Sequence, residues 1–211
     1  MNLDNIPEFK IRASAIGKIM GGLKSSTLTK NQEEEMGRLI KKSSLTPKQE
    51  IELSKLIEKK NSKPELSQGA KTYCKEWLKE QLLGRRNEID TKYTIKGNLV
   101  EKEAIYFLNQ EYEKNTKFFP SNYITGEPDI VLDDKVIDIK CPWDWYTHPI
   151  FEDKIPEQDY YYQLQGYMIL TGRAKADLTY VLIETPEHLD DRCKKAGNGH
   201  SMKLVLTICL V

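Results

Sequence analysis

The stretch that decides the fold is residues 126–141, which read Gly-Glu-Pro-Asp-Ile-Val-Leu-Asp-Asp-Lys-Val-Ile-Asp-Ile-Lys-Cys. Two apolar runs flank Asp133-Asp134, a pattern that predicts a β-hairpin with a two-residue turn. In that register Asp129 lies directly opposite Asp138. Between them the predicted pairs are Leu132 with Lys135, Val131 with Val136, and Ile130 with Ile137.

Cross-strand neighbours on one face of such a hairpin lie about 5 Å apart at Cβ, so two carboxylates there repel each other. Side chains alternate along a strand, which places Lys140 on the face of Asp138. The opposite face carries Ile137, Ile139 and Cys141. The acid pair is tolerated where water solvates it, or where a hard cation such as Mg²⁺ lies between the carboxylates. The hairpin alone does not decide between these interpretations, because short motifs often arise by chance.

The composition describes a polar chain with balanced charge. Its 211 residues include 32 Lys and Arg against 32 Asp and Glu, so any nucleic-acid binding would depend on local patches. We predict a single domain over residues 1–211. The sequence lacks an apolar run of about 20 residues, and its polar start, Met1–Lys10, is unlike a signal peptide. We therefore expect a cytoplasmic protein without membrane contact.

Four cysteines and three histidines are scattered along the chain. Cys74, Cys141, Cys193 and Cys209 form no C-x-x-C motif, which argues against a zinc site or an iron-sulfur cluster. We expect reduced thiols. The spacing of the histidines also argues against a histidine-ligated metal and against a Cys/His catalytic pair.

The first half of the chain is predicted to be mainly helical, from apolar residues that recur at helical spacing. Ser14 is placed as the N-cap of the first helix, and Thr46 and Gln49 form a capping box that opens the second. Residues 23–45 lack a steady apolar stripe, so 25–67 is interpreted as a helical or mobile insertion. Residues 9–20 are predicted as a short entry segment into that first helix, and the further helices are predicted over 46–60, 67–83 and 97–113.

After Lys117 the pattern changes to strands, with one long helix over 157–171 among them. Helices followed by a small sheet that one helix crosses predict an α/β or α+β core. The predicted strands cover 118–119, 129–132, 135–141, 176–183 and 203–211.

Three further places carry polar side chains that a site needs. Glu101 precedes apolar residues of its helix by one and two turns, so it either leans toward the buried stripe or reaches water. Gln163 and Tyr167 lie one turn apart on one helix, where an aromatic-rich core helix is the simpler explanation. Arg12 and Ser14 stand beside a helix start, which suits a phosphate group but more often marks an ordinary N-cap.

Taken together, these stretches resemble the PD-(D/E)xK nuclease superfamily, and within it the phage lambda-type (YqaJ-like) alkaline exonucleases. The resemblance implies a restriction-endonuclease-like core, a small mixed β-sheet flanked by helices, with its catalytic part over 97–183. The matching pieces occur in the family's order and are Arg12-Ala13-Ser14, Gly97-Asn98-Leu99-Val100-Glu101, Glu127-Pro128-Asp129, Asp138-Ile139-Lys140-Cys141-Pro142 and Gln163-Leu164-Gln165-Gly166-Tyr167.

The resemblance implies a metal site at the hairpin. Asp129 and Asp138 would bind catalytic Mg²⁺ together with the Ile139 carbonyl. Glu101 would hold a second ion or its waters, and Mn²⁺ is expected to substitute for Mg²⁺.

The resemblance also implies roles for the neighbouring side chains. Lys140 would orient or deprotonate the attacking water, and Gln163 would help to position the water and the lysine. Tyr167 would brace the site or touch DNA. Ser14, with Arg12, would receive the 5′-phosphate of the strand being degraded.

The implied activity is that of a Mg²⁺-dependent 5′-to-3′ exonuclease on double-stranded DNA ends. Its 3′ overhangs would serve a strand-annealing protein during recombination in a bacterial or phage-infected cell, and a homo-oligomeric ring, such as a trimer, is a further implication. Two alternatives stay open. One is a DNA endonuclease on the same core, and the other is a catalytically silent DNA-binding or inhibitory protein.

Two departures from the family pattern bear on the site. Asp138 stands where many relatives have Glu, which shortens the reach by one methylene and keeps the charge. The arginine that some relatives place before Ser14 is not evident, because Pro7 falls near there.

Two further groups of residues leave alternatives open. Trp143 and Trp145 either stack on bases or pack in the core. Basic residues suited to a DNA groove, or equally to a solvated face, are Lys71, Lys75, Arg85, Arg86 and Lys96.

Overall fold

The computed structural model describes residues 6–20, 28–62, 66–86, 90–189 and 203–210. The helices are α1 (Ile16–Met20), α2 (Lys30–Ile40), α3 (Pro47–Asn61), α4 (Gln68–Leu83), α5 (Lys92–Leu108) and α6 (Gln158–Thr171). The strands are β1 (Ile11–Arg12), β2 (Phe119–Pro120), β3 (Ile124–Gly126), β4 (Ile130–Val131), β5 (Lys135–Lys140), β6 (Lys175–Leu182) and β7 (Leu204–Leu210). In these parts of the chain, no helix is long and apolar enough to cross a membrane.

The chain folds as two compact units. One contains the residues up to Gly17 and from Leu78 onward, and the other is Lys18–Trp77. The second unit contains α2, α3 and most of α4. That all 211 residues act as a single nuclease domain stays a prediction.

The Lys18–Trp77 unit is more regularly helical than its sequence predicts. Thr29 and Gln32 form a capping box at the start of α2, a signal that the sequence reading missed. The predicted capping box of Thr46 and Gln49 is confirmed at the start of α3. The two helices pack around buried Leu28, Leu39 and Leu56. The predicted end of the first helix at Gly21-Gly22, and residues 23–27, lie outside the described residues.

A four-stranded sheet in the order β4-β5-β6-β7 forms the centre of the other unit. The hairpin register is confirmed, because Ile130 pairs with Ile137 and Val131 with Val136. The Leu132 N–H donates to the Lys135 carbonyl at 2.8 Å and closes the turn. Strands β5 and β6 are parallel, with α6 between them in the chain, and the other pairs are antiparallel. Each predicted strand is present, with ends that differ by about one or two residues.

Helices cover both faces of this sheet. Buried Val136, Leu164 and Leu178 join α6 to one face, whereas Val100 of α5 packs with Ile137 on the other. Helix α5 begins at Lys92 and not at Gly97, because Thr91 caps it, and it ends at Leu108 instead of residue 113. The result is the predicted α+β class with a small mixed sheet.

A second, three-stranded sheet has the order β1-β3-β2, with β1 parallel to β3. Strands β1 and β3 were not predicted, because two or three residues are too few to show a period. The prediction that Ser14 caps the first helix is wrong. Ile11 and Arg12 pair with β3, and the chain then turns through a 3-10 helix, Ala13–Ala15, that contains Ser14.

Helix α6 lies against that 3-10 helix at Gly166. A Cβ placed on Gly166 would lie 2.6 Å from Ile16 Cδ1 and 3.0 Å from Ala13 Cβ. A side chain there would push the two helices apart. The contact therefore sets the position of Ser14 relative to α6.

We expect Gly166→Ala to lower the free energy of unfolding by about 1–2 kcal/mol, because overpacking outweighs the gain in helix propensity. Urea denaturation measures the change. Gly97→Ala is the matched control, since a Cβ on this α5 glycine would meet no described atom within 4 Å. That control should be neutral or stabilising, and an equal response of both variants would contradict the close approach of α6.

Candidate active site

One cleft of about 760 Å³ collects the acidic residues and the lysine that the sequence singles out. It opens at the end of β5, between that strand and the N-terminal half of α6. The predicted catalytic and metal-site residues that line it are Glu101, Asp129, Asp138, Ile139, Lys140 and Gln163, and the predicted DNA-binding residue Tyr167 lines it as well. The structure thus brings together residues that are far apart in the chain, from Glu101 to Tyr167.

Asp138 lies at the centre of the contacts in this cleft and is only 2% exposed. Its Oδ1 accepts a hydrogen bond from Gln163 Nε2 at 3.0 Å. Its Oδ2 lies 2.7 Å from Lys140 Nζ, an ion pair that is poorly directed as a hydrogen bond. Oδ2 therefore keeps unused acceptor capacity within a buried site.

Asp129 is held beside Asp138 by the backbone of β5. Its Oδ2 accepts a hydrogen bond from the Ile139 N–H at 2.6 Å. Burial raises the pKa of Asp129 to about 8, the charge of Asp138 adds to the shift, and the Ile139 N–H opposes it. The second carboxylate is thus difficult to ionise here without a cation.

Lys140 is a cation in this arrangement. Burial alone would lower its pKa, but the charge of Asp138 and the contact with it outweigh burial and raise the pKa. Its Nζ also lies 3.4 Å from Gln163 Oε1 and 4.7 Å from the centre of the Tyr160 ring. These contacts favour an electrostatic role of Lys140 over that of a base.

Gln163 and Tyr167 face the cleft from α6, as their spacing of one turn predicts. Gln163 Nε2 contacts the Tyr167 hydroxyl at 3.0 Å as well as Asp138. Burial raises the pKa of Tyr167, so its phenol stays neutral. Tyr167 thereby fixes the amide that holds Asp138.

Glu101 reaches the cleft from α5 and is paired with Lys114, a residue that the sequence reading did not single out. Its charge contributes to the raised pKa of Asp129. Among the residues that the structure describes, no three His, Cys, Asp or Glu side chains are gathered closely enough to hold a metal ion. A two-ion site therefore stays a prediction.

The donors nevertheless fit a hard divalent cation. Asp129 and Asp138 present oxygen ligands side by side, and the ion pair with Lys140 is the one polar contact of Asp138 Oδ2 among the described residues. Carboxylate oxygens are the ligands that Mg²⁺ and Mn²⁺ prefer. A cation between them would also favour the ionised form of Asp129, whose pKa is raised by burial and by the charge of Asp138.

Arg12 and Ser14 do not line this cleft but a second cavity of about 370 Å³. Arg86, which follows α4, lines it too, as do Phe118 and Tyr167. Arg12 lies 3.6 Å from Glu80, so part of its charge is compensated. Tyr167 lines both cavities and lies where they adjoin.

Two other sequence interpretations are resolved at the end of β5. Lys96 is neither exposed nor part of a groove, since it is fully buried and donates to the carbonyls of Pro142 at 2.5 Å and Trp143 at 2.9 Å. Trp143 is a core residue, 7% exposed, beneath the ammonium of Lys92. Trp145 is 70% exposed.

Cys74, Cys141 and Cys209 are free thiols as predicted, and Cys193 lies outside the described residues.

A small mixed sheet covered by helices, with two acids and a lysine at the end of its hairpin, is consistent with the restriction-endonuclease-like core that the motif resemblance implies. Comparison with family models and with curated proteins gave no match. Solved structures gave clear ones. A phage-related exonuclease from Haemophilus somnus 129PT is 26% identical with a TM-score of 0.65, over 98% of this chain and 87% of that one.

A second match is an alkaline exonuclease, LHK-Exo, from Laribacter hongkongensis. It is 16% identical with a TM-score of 0.52, over 94% of this chain and 77% of that one, and its complex with dAMP gives a TM-score of 0.51. This second likeness supports the fold alone. The resemblance to lambda-type exonucleases, first drawn from five short motifs, is thus confirmed over nearly the whole chain.

We expect the metal-free wild type to lose stability as the pH rises, and we expect Asp129→Asn to lose less. The folded state raises the pKa of Asp129 from 3.8 to about 8, so it holds this proton more tightly than the unfolded chain does. The contribution to stability is complete below pH 3.8 and is lost as the pH rises through 8, by at most about 1.4 kcal/mol per pH unit. Urea denaturation with a chelator, across this window, should show a steeper fall for the wild type than for Asp129→Asn.

Asp133→Asn is the control for this measurement, because Asp133 is an exposed carboxylate in the turn of the same hairpin. It should keep the pH dependence of the wild type. Identical slopes for wild type and Asp129→Asn would show that Asp129 is not buried beside a second charge.

Proposed function

We propose that this protein is a metal-dependent exonuclease that degrades double-stranded DNA from its 5′ ends and leaves 3′ single-stranded overhangs. The observation that carries the proposal is the cluster of half-buried Asp129 and Lys140 around buried Asp138, all three of which line one cleft. The 26% identity to a phage-related exonuclease over 98% of the chain supports the same activity. The motif resemblance adds two elements to this proposal. The overhang would pass to a strand-annealing protein, and several copies of the chain would form a ring.

Asp129 and Asp138 would hold a Mg²⁺ or Mn²⁺ ion, with the Ile139 carbonyl as a further ligand and Glu101 near a second ion. When bound, such an ion compensates the charge of the scissile phosphate and makes water a stronger nucleophile at neutral pH. To hold a second ion, Glu101 would have to give up its ion pair with Lys114. Gln163 keeps Asp138 oriented, because one amide nitrogen bonds to the carboxylate and to Tyr167.

Lys140 supplies a fixed positive charge beside the carboxylates. Its ammonium is held by Asp138, Gln163 and the face of Tyr160, so it needs little reorganisation when the phosphate gains charge. In this arrangement the lysine would stabilise the developing charge and orient the attacking water as a fixed cation, and it would not act as the base.

The second cavity gives the proposal its end specificity. Ser14, Arg12 and Arg86 would bind the terminal 5′-phosphate, and the shared wall of Tyr167 places that pocket next to the cleft. Arg86 supplies a guanidinium at a pocket where the expected arginine before Ser14 is missing. An end held next to the cleavage site is what an exonuclease needs and an endonuclease does not.

Lys140→Ala should lower the rate of duplex digestion by about 10²–10³-fold, because one preorganised charge is removed from the transition state. Release of acid-soluble nucleotides from a linear duplex with Mg²⁺ measures this rate, and Lys175→Ala, at an exposed lysine of β6, is the matched control. A closed circular duplex should stay intact. Cutting of the circle would favour an endonuclease, and no digestion by the wild type would favour a silent DNA-binding protein.

Arg86→Ala should lower the preference for 5′-phosphate over 5′-hydroxyl ends by about tenfold, because a charge-assisted contact to the phosphate is lost. The rate on 5′-hydroxyl ends should change little. Arg85→Ala is the control at the adjacent exposed arginine, which does not line the cavity. An unchanged end preference in Arg86→Ala would remove this cavity from the proposal.

A further inference from the structure

Directly after β5, the chain forms one wall of the cleft and then presents large apolar side chains to water. Thr147 and Pro149 of this stretch line the cleft. We name Trp145–Phe151 the aromatic segment. Its exposed side chains are Trp145 at 70%, Tyr146 at 82%, Ile150 at 47% and Phe151 at 96%.

Hydrogen bonds fix the backbone at the N-terminal end of the aromatic segment. The Trp143 carbonyl accepts from the buried Lys96 ammonium at 2.9 Å and from Thr185 Oγ1 at 2.6 Å. Asp144 and Thr147 close the next turn with reciprocal bonds, Asp144 N–H to Thr147 Oγ1 at 3.1 Å and Thr147 N–H to Asp144 Oδ1 at 3.0 Å. Two buried and two exposed hydrogen bonds therefore fix the backbone from which the exposed rings extend beside the cleft.

His148 provides a second anchor in the middle of the segment. It is 5% exposed, and its ring lies edge-on to Tyr180, with centroids 6.3 Å apart. Tyr180 itself lines the cleft. Next to this buried residue, the rings of Trp145 and Tyr146 lie at 87° to each other with centroids 5.9 Å apart. In such an edge-to-face pair one ring face is partly covered, but the high exposure of both residues leaves ring surface accessible to a flat partner.

The charges around the aromatic segment indicate which part of a nucleic acid it would meet. Between residues 143 and 156 the acidic side chains are Asp144, Glu152 and Asp153, against a single Lys154. Such a surface does not attract a phosphate backbone. Aromatic faces instead bind base faces, and these are accessible only where the nucleotides are unpaired.

We propose that the aromatic segment is a stacking platform for unpaired nucleotides at the DNA end, next to the cleft. The proposal rests on the proposed nuclease function and adds to it a preference for ends that carry a single-stranded tail. The continuity of the segment with the wall of the cleft, through Thr147 and Pro149, is what assigns DNA as its occupant. The segment contributes affinity through stacking and not through charge.

The test compares binding of a blunt duplex and of the same duplex with a short unpaired 3′ tail, both labelled, in a chelator so that no digestion occurs. For the double variant Trp145→Ala/Tyr146→Ala we expect the Kd of the tailed duplex to rise about tenfold or more, and that of the blunt duplex to change by less than about twofold. The slope of log Kd against log salt should stay that of the wild type, because no phosphate contact is lost.

Two control variants make the test specific. Trp145→Phe/Tyr146→Phe keeps both aromatic faces and should restore binding of the tailed duplex, whereas Trp145→Leu/Tyr146→Leu keeps apolar bulk and should not. Tyr106→Ala removes a 60% exposed tyrosine of α5, which lines neither the cleft nor the second cavity, and should have no effect.

Several results would overturn the platform. These are equal loss on blunt and tailed duplexes, full rescue by the leucine variant, or a change of oligomeric state in the alanine variant by sedimentation, which would assign the surface to a second copy. If the wild type digests duplex DNA with Mg²⁺ and binds both duplexes equally, the platform alone fails. If it neither binds nor digests DNA, the nuclease proposal fails with it.

Discussion

The structure depends on two neighbouring aspartates of the central hairpin, of which Asp138 is buried and Asp129 half-buried. The hairpin register brings Asp129 and Asp138 together, and the Ile139 N–H and the Gln163 amide fix their carboxylates from two directions. Repulsion and burial together raise the pKa of Asp129. Such a pair is costly in a fold unless a cation compensates it. Lys140 does so in part, and a divalent ion fits the remaining oxygen donors.

Helix α6 connects this pair to the rest of the molecule. Its Gln163 and Tyr167 hold Asp138, and its Gly166 permits the close approach of the 3-10 helix that carries Ser14. Tyr167 consequently lines both the cleft and the second cavity. The same short helix thus determines the geometry of the carboxylates and their distance from the pocket proposed for the DNA end. The packing at Gly166 and the orientation of the Asp138 carboxylate therefore both depend on α6.

Much of the central hairpin could be predicted from the sequence, because a two-residue turn and an alternating pattern leave one register. The same holds for the spacing of Gln163 and Tyr167 on one helix face. The short strands β1 and β3 could not be predicted, since pairing with distant residues and not local pattern defines them. The burial of Lys96 could not be predicted for the same reason, as it bonds to a carbonyl 47 residues away. Arg86 was named only as one of several basic residues, without a link to the cavity of Ser14. The early start of α5 was readable in Thr91 and Thr94, and the roles of the site residues stay predictions.

The most direct test of this account measures the binding of Mn²⁺ to the metal-free protein. Binding is detected as the loss of the free-ion signal in electron paramagnetic resonance. The wild type should bind Mn²⁺, Mg²⁺ should displace it, and Asp138→Asn should weaken binding by about tenfold or more, because one of two hard anionic ligands is lost. Asp133→Asn should bind as the wild type does. Equal binding by wild type and Asp138→Asn, or none by the wild type, would contradict the claim that the buried aspartates form a cation site.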